Sequence, residues 1–213
     1  MFIFKRLKHN FNLYRRYPYW YNNRVIFIHV PKVAGTSINK AIYGRTLGHY
    51  TALEIQSKFP KLYDSSFVFS FVRNPWSRIL SAYRFALQGN TESMGVWNPK
   101  QYKIKDFETF ESFIKNWLIK KDVNKLDFIF QPQIKFLTDR NGVVIADYVE
   151  KLENLNHGLI TVEKMLGKKI NVGHSNATYA ISDYKQFYTN PELIDIVGFI
   201  YKDDIETFNY KFD

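Results

Sequence analysis

The sequence predicts an α/β domain: a central parallel sheet flanked by helices. Two continuous apolar runs each end at a turn that opens a helix, and a third apolar run precedes another helical pattern. Strands that alternate with helices in this way pair in parallel and connect by right-handed crossovers.

The first run, residues 25–30 (VIFIHV), lacks the polar alternation of a half-exposed strand and reads as one buried on both faces. A tight turn, Pro31 to Gly35, follows it. A helix is then predicted from Thr36 to Tyr43, closed by Gly44 in the left-handed position beyond its last turn. The second run, residues 67–72 (FVFSFV), stops at Arg73-Asn74-Pro75. Asn74 suits an N-cap and Pro75 the first helical position, so a helix should run to about Leu87. Trp76, Ile79, Leu80, Tyr83 and Leu87 form its apolar face, with Ser77, Ser81 and Arg84 on another side. Residues 90–105 read as a loop, and helical spacing returns at Phe107, Phe110, Phe113, Ile114 and Trp117. Residues 143–149 read as the third strand. The helix after it carries Leu152, Leu155, Leu159, Val162 and Leu166 on one face and closes at Gly167. Asn190 and Pro191 open a last helical segment with Leu193, Ile194 and Val197 facing in.

A chain of 213 residues suits one domain with a full core, here residues 25–213, preceded by a basic, aromatic extension at 1–24. Phe, Tyr and Trp number 19, 15 and 4, which points first to a large aromatic core and second to rings lining a groove. The net charge of +10 favours an anionic partner: a phosphorylated cofactor, an acidic glycan, nucleic acid or a membrane surface. No long basic run of the nucleic-acid-arm kind occurs, so nucleic acid is not the expected partner. With no Cys, disulfides, thiolate chemistry and Cys-based zinc sites are excluded. No apolar stretch approaches the roughly 18 residues of a membrane-spanning helix. The segment MFIFKRLKHNFNLYRRYPYWYNN lacks the apolar region of a signal peptide, so a cytoplasmic location is expected. Its expected place is packed on the domain, with peripheral contact to an anionic membrane as the alternative.

Two strand-end turns carry candidate chemistry. In His29-Val30-Pro31-Lys32-Val33-Ala34-Gly35-Thr36-Ser37, a helix N-terminus offers unpaired N–H groups and partial positive charge to a phosphate. Lys32 adds a full charge, Thr36 and Ser37 add hydroxyls, and Ala34 and Gly35 keep the turn small. This is not the nucleoside-triphosphate loop G-x-x-x-x-G-K-[ST], because Lys32 precedes Gly35 instead of following the last glycine, and no acidic residue for Mg²⁺ stands out. In the second turn Arg73 sits at a strand end, where open α/β sheets bind ligands, and its planar guanidinium can grip a phosphate with two donors. Ser81, eight residues on, can offer a hydroxyl to the same anion. Alone, each turn is compatible with ordinary structural roles; together they suit a ligand with two separated phosphates.

The pair resembles the sulfotransferases. Pro31 through Ser37 is similar to their 5'-phosphosulfate loop, and Arg73-Asn74-Pro75-Trp76-Ser77-Arg78 through Ser81-Ala82-Tyr83 to their 3'-phosphate motif. Phe130-Gln131-Pro132-Gln133, residues 147–155 and the final 201–210 resemble the carbohydrate branch that includes heparan-sulfate 2-O-sulfotransferases. The resemblance implies a P-loop-like three-layer domain using 3'-phosphoadenosine 5'-phosphosulfate (PAPS) as donor and a hydroxyl, expected on a glycan, as acceptor. It implies that Lys32, Val33, Ala34, Gly35, Thr36 and Ser37 hold the 5'-phosphosulfate, that Arg73 and Ser81 hold the 3'-phosphate, and that no metal is required.

Such a transfer needs a base for the acceptor proton, and an imidazole is the natural one near neutral pH. Of the five histidines, His9 lies in the tail, His29 in a buried strand, His157 in a helix and His174 in a loop. His49 falls between the two phosphate motifs, in a Gly-His stretch that resembles the one carrying the base in the 2-O branch. It is the expected base, with Lys32 assisting the leaving group and Glu54 and His29 in reserve. The chain departs from many small relatives, which have a histidine shortly before the Pro-Gln pair where this sequence has Phe128-Ile129-Phe130. Competing expectations are a nucleotide-binding kinase or NTPase, a non-catalytic polyanion-binding module, and an inactive relative that keeps the fold. The variable loops at 88–106 and 120–140 are expected to shape the acceptor site.

Overall fold

The structure is a computed structural model that describes residues 9–89, 95–172 and 184–213. His174 lies outside the described residues, as do residues 90–94 of the loop at 88–106.

Three parallel strands pair in the order β1-β2-β3: β1 at Val25–Ile28, β2 at Phe67–Val72 and β3 at Tyr148–Lys151. Val25 lies opposite Phe67, and Phe69 opposite Tyr148. Every β1 side chain is buried, and in β2 only Phe67 is partly exposed, as expected of strands covered on both faces. Pairing in β1 ends at Ile28, so the buried His29 belongs to the exit from the strand and not to the strand itself.

The third strand begins later than the apolar run at 143–149 indicates. Val144 instead bridges Thr138 in antiparallel fashion. Asp147 then joins the backbone of Val68 twice: its N–H donates to the carbonyl at 2.8 Å, and its Oδ2 accepts from the N–H at 2.7 Å. A side-chain carboxylate takes the place of a ladder partner, and hydrophobic pattern carries no sign of that.

Around the sheet lie α1 (Tyr17–Asn23), α2 (Gly35–Tyr43), α3 (Ala52–Lys58), α4 (Pro60–Asp64) and α5 (Pro75–Gln88). They are followed by α6 (Ile134–Leu137), α7 (Leu155–Leu166), α8 (Pro191–Ile200) and α9 (Lys202–Thr207). Gly44 closes α2 with φ 73°, and Gly167 closes α7 with φ 63°. The Asn74 side chain caps α5 by accepting from the N–H groups of Trp76 and Ser77. At the far end of α5 the expected face fails: Leu87 is exposed, while Phe85 and Ala86 are buried. Residues 105–120 are helical only in short pieces, including a π-turn at Phe113–Trp117. Their rings pack edge and face on Tyr83, Tyr102 and Phe130 at centroid distances of 5.1–6.2 Å, so much of the aromatic content serves the core.

The segment before β1 is packed down by Leu13 and Trp20, both buried. Near the site, two buried charges pin residues 129–134. Arg78 donates to the carbonyls of Ile129 and Gln131, and Asp204 accepts from the N–H groups of Gln133 and Ile134. Gln133 is thereby held so that its amide pairs with both backbone groups of Arg73, accepting at 2.9 Å and donating at 2.8 Å.

Candidate active site

The two strand-end turns meet. The Lys32 carbonyl accepts from Arg73 Nη1 at 3.3 Å, which ties the turn after β1 to the turn after β2. The rest of the Arg73 guanidinium is buried against Ser77, with Nε and Nη2 both donating to Oγ, at 3.0 and 2.7 Å. Burial lowers the Arg73 pKa to about 10, against the opposing pull of Glu153. Glu153 is itself held by the Asn74 N–H at 2.8 Å and the Tyr210 hydroxyl at 3.0 Å. The Lys32 ammonium lies 4.1 Å from the centre of the Phe85 ring, a cation–π contact. Burial first, and the Arg73 charge second, bring the Lys32 pKa down to about 8.

These residues open on a cavity of about 190 Å³ whose polar lining includes Lys32, Arg73, Arg84, Ser77 and Ser81, and no carboxylate among the described residues. Two partly desolvated cations held side by side are costly without an anion between them, so the cavity is built for negative charge. Lys32, Arg73 and Ser81 are thus brought together. Val33, Ala34, Gly35, Thr36 and Ser37 form the adjoining turn and the start of α2 but do not line the cavity. Val33 is fully buried, while Thr36 and Ser37 are partly exposed. The left-handed positions of this turn are Lys32 (φ 70°) and Ala34 (φ 59°), not Gly35. Gly35 serves another need: a Cβ there would overlap the His29 imidazole. Gly35→Ala is therefore expected to cost about 1–3 kcal/mol and to displace His29. A thermal melt that matches wild type would sink this.

His49 is held from three sides. Its Nδ1 lies 2.7 Å from the His29 carbonyl, so Nδ1 is the donor and Nε2 the acceptor. Its ring sits 4.0 Å from the His29 ring and 4.7 Å from Phe128. Burial lowers its pKa to about 4, with the His29 carbonyl acting the other way and Lys32 lowering it further. His29 is pushed well below the usual range by burial, then by His49 and Lys32, and its Nδ1 has no hydrogen-bond partner among the described residues. Both imidazoles are consequently neutral near pH 7. Glu54 is engaged elsewhere: its carboxylate accepts from the Thr51 N–H in a capping box and meets His9 Nε2 at 2.8 Å. His157 is exposed beside Glu150.

The sequence places Gln133 and Phe128 in the expected acceptor loop at 120–140 without assigning either a partner, and gives no site role to Ser77 or Arg84. Arg84 stands one helical turn after Ser81, which puts that pair on a common face, whereas Ser77 lies in the first turn of α5 and Arg73 precedes the Asn74 cap. Gln133 and Phe128 come from a distant segment, and no local signal ties them to the site. Among the described residues no group of His, Asp and Glu is placed to hold a metal ion.

A desolvated lysine and arginine joined across two strand ends, with hydroxyls and a neutral imidazole nearby, define an anion-binding α/β protein. The chain belongs to the sulfotransferase family, whose sequence profile matches residues 19–211. The reaction class that the family supplies is sulfuryl transfer. The chain is also similar to an uncharacterized protein of Archaeoglobus fulgidus, 32% identical over 110 residues that span 50% of this chain and 72% of the relative. No solved structure gives a significant match.

Proposed function

We propose that the protein moves a sulfuryl group from PAPS to an acceptor hydroxyl, expected on a carbohydrate, within a P-loop-like three-layer fold and a cytoplasmic setting. The observation that carries this is the shared cavity: Lys32 and Arg73, from separate turns, converge on it, with no carboxylate lining it among the described residues. Arg73 and Ser81 hold the 3'-phosphate. Lys32 and the turn through Ser37 hold the 5'-phosphosulfate. The acceptor oxygen attacks sulfur while the sulfur–oxygen bond to the 5'-phosphate breaks in line with it. The acceptor proton passes to Nε2 of His49, whose Nδ1 is already committed to the His29 carbonyl. Lys32 neutralises the charge that gathers on the departing phosphate, so positioning and electrostatics supply most of the catalysis. The side chain of Phe128, against His49, lies in one of the loops expected to shape the acceptor site.

Two measurements test the proposal. PAPS or its desulfated product, 3'-phosphoadenosine 5'-phosphate, should raise the melting temperature, and labelled donor should pass sulfate to at least one member of a glycan panel. No shift with either nucleotide at near-millimolar concentration, or Mg²⁺-dependent turnover of ATP in place of sulfate transfer, would overturn it.

A further inference from the structure

The basic residues are spread along the chain, but the acidic ones are not. Residues 1–53 contain nine Lys and Arg and no Asp or Glu, so all but one unit of the net charge of +10 belongs to them. In the same part of the chain an aromatic surface faces outward. The helical stretch 9–14 and α1 turn Leu13 and Trp20 into the core, while Phe11, Tyr14 and Tyr21 are 63%, 52% and 60% exposed. Tyr14 and Tyr21 belong to a run of contacts: Tyr14 packs on Phe59 at 5.2 Å, Phe59 on Tyr17 at 5.1 Å, and Tyr17 stacks on Tyr21 at 5.7 Å. Cations border it, with Lys58 5.0 Å from the Tyr14 ring and Arg15 5.9 Å from that of Phe11. Beside Tyr21 a hollow of about 470 Å³ is lined by Arg24, Asn22, Ser65 and Ser66, and the buried Oγ of Ser66 has no partner among the described residues. Asp64 flanks this hollow without lining it.

We propose that this face docks on an anionic lipid bilayer, with the rings entering the headgroup boundary and the surrounding Lys and Arg meeting lipid phosphates. Exposed rings set among predominantly basic residues are what the bilayer interface selects: the rings gain from the apolar boundary and the cations from the surface potential. The hollow at Arg24 then takes one phosphate headgroup. A duplex nucleic-acid surface accounts for the charge but not for Tyr14 and Tyr21, outward rings joined through Phe59 and Tyr17. Because His9 touches Glu54 and its tilted ring lies 5.1 Å from that of Tyr50, docking holds the His49 side of the molecule near the bilayer.

The full-length protein is to be sedimented with phosphatidylglycerol-rich vesicles and with pure phosphatidylcholine vesicles, at low and high salt. Binding is expected to the anionic vesicles only, weakened by salt. It should fall by about tenfold or more in the triple variant F11S/Y14S/Y21S and in R15E/K58E, with melting temperatures close to wild type. Should the triple variant unfold, Tyr14→Ser alone is expected to reduce binding measurably. Failure to sediment with anionic vesicles at low salt would overturn the proposal, as would undiminished sedimentation of a folded aromatic variant. Binding of a duplex oligonucleotide that displaces the vesicles and ignores the aromatic substitutions would assign the face to nucleic acid instead.

Discussion

Lys32→Ala is expected to abolish the stabilisation that 3'-phosphoadenosine 5'-phosphate gives the wild type, and to lower sulfate transfer by roughly 10²–10³-fold or more. Lys32 is held over Phe85 with its charge partly desolvated and with Arg73 raising the local positive potential. An anion in the cavity relieves both costs, so little binding should survive without it. Arg73→Ala should have a similar effect, and Arg73→Lys should restore little, because a point charge cannot reproduce the fork that reaches both Ser77 and the Lys32 carbonyl. The pH dependence follows in sign. Lys32 is cationic below its pKa of about 8, so kcat/KM for the donor should fall as pH rises through that value, and donor binding above it should take up a proton. Thermal shift, calorimetry in buffers of different ionisation enthalpy and the pH–rate profile read these out. Full nucleotide stabilisation in Lys32→Ala would remove the cavity from the mechanism.

His49→Ala is expected to lower kcat by about 10²–10⁴-fold while leaving the nucleotide-induced thermal shift in place. The split matters, because a residue that only shaped the donor cavity would lose both. Burial brings the His49 pKa to about 4, so the basic form persists over all ordinary conditions and the acid limb of kcat/KM should lie near that value. Once donor is bound, its negative charge offsets Lys32, so the acid limb of kcat should lie higher than that of kcat/KM. Together with Lys32 this predicts a broad plateau between about 4 and about 8 in kcat/KM. A pH profile with its acid limb at an ordinary histidine value, unchanged in His49→Ala, would exclude His49 as the base.

Much of this was legible locally. The runs 25–30 and 67–72 announced β1 and β2, Gly44 announced the end of α2, and Asn74-Pro75 announced the start of α5, because each signal resides in a few adjacent residues. The third strand was misplaced because Asp147 closes the ladder with its side chain. Gly35 was read as slack for a ligand, whereas its missing Cβ makes room for His29. Glu54 remained open as a base until its cap and its His9 contact were seen.

By itself the sequence determined which residues make the two strand-end turns, and that one histidine falls between them. Only the tertiary structure decided that the turns share a cavity, that Gln133 and Ser77 brace Arg73, and that His49 commits Nδ1 to the His29 carbonyl while resting on Phe128. The reason is range. Helix caps and strand runs depend on neighbours within a few residues, whereas the pKa values and the cavity depend on groups distant along the chain, brought within a few ångströms by strand pairing and core packing.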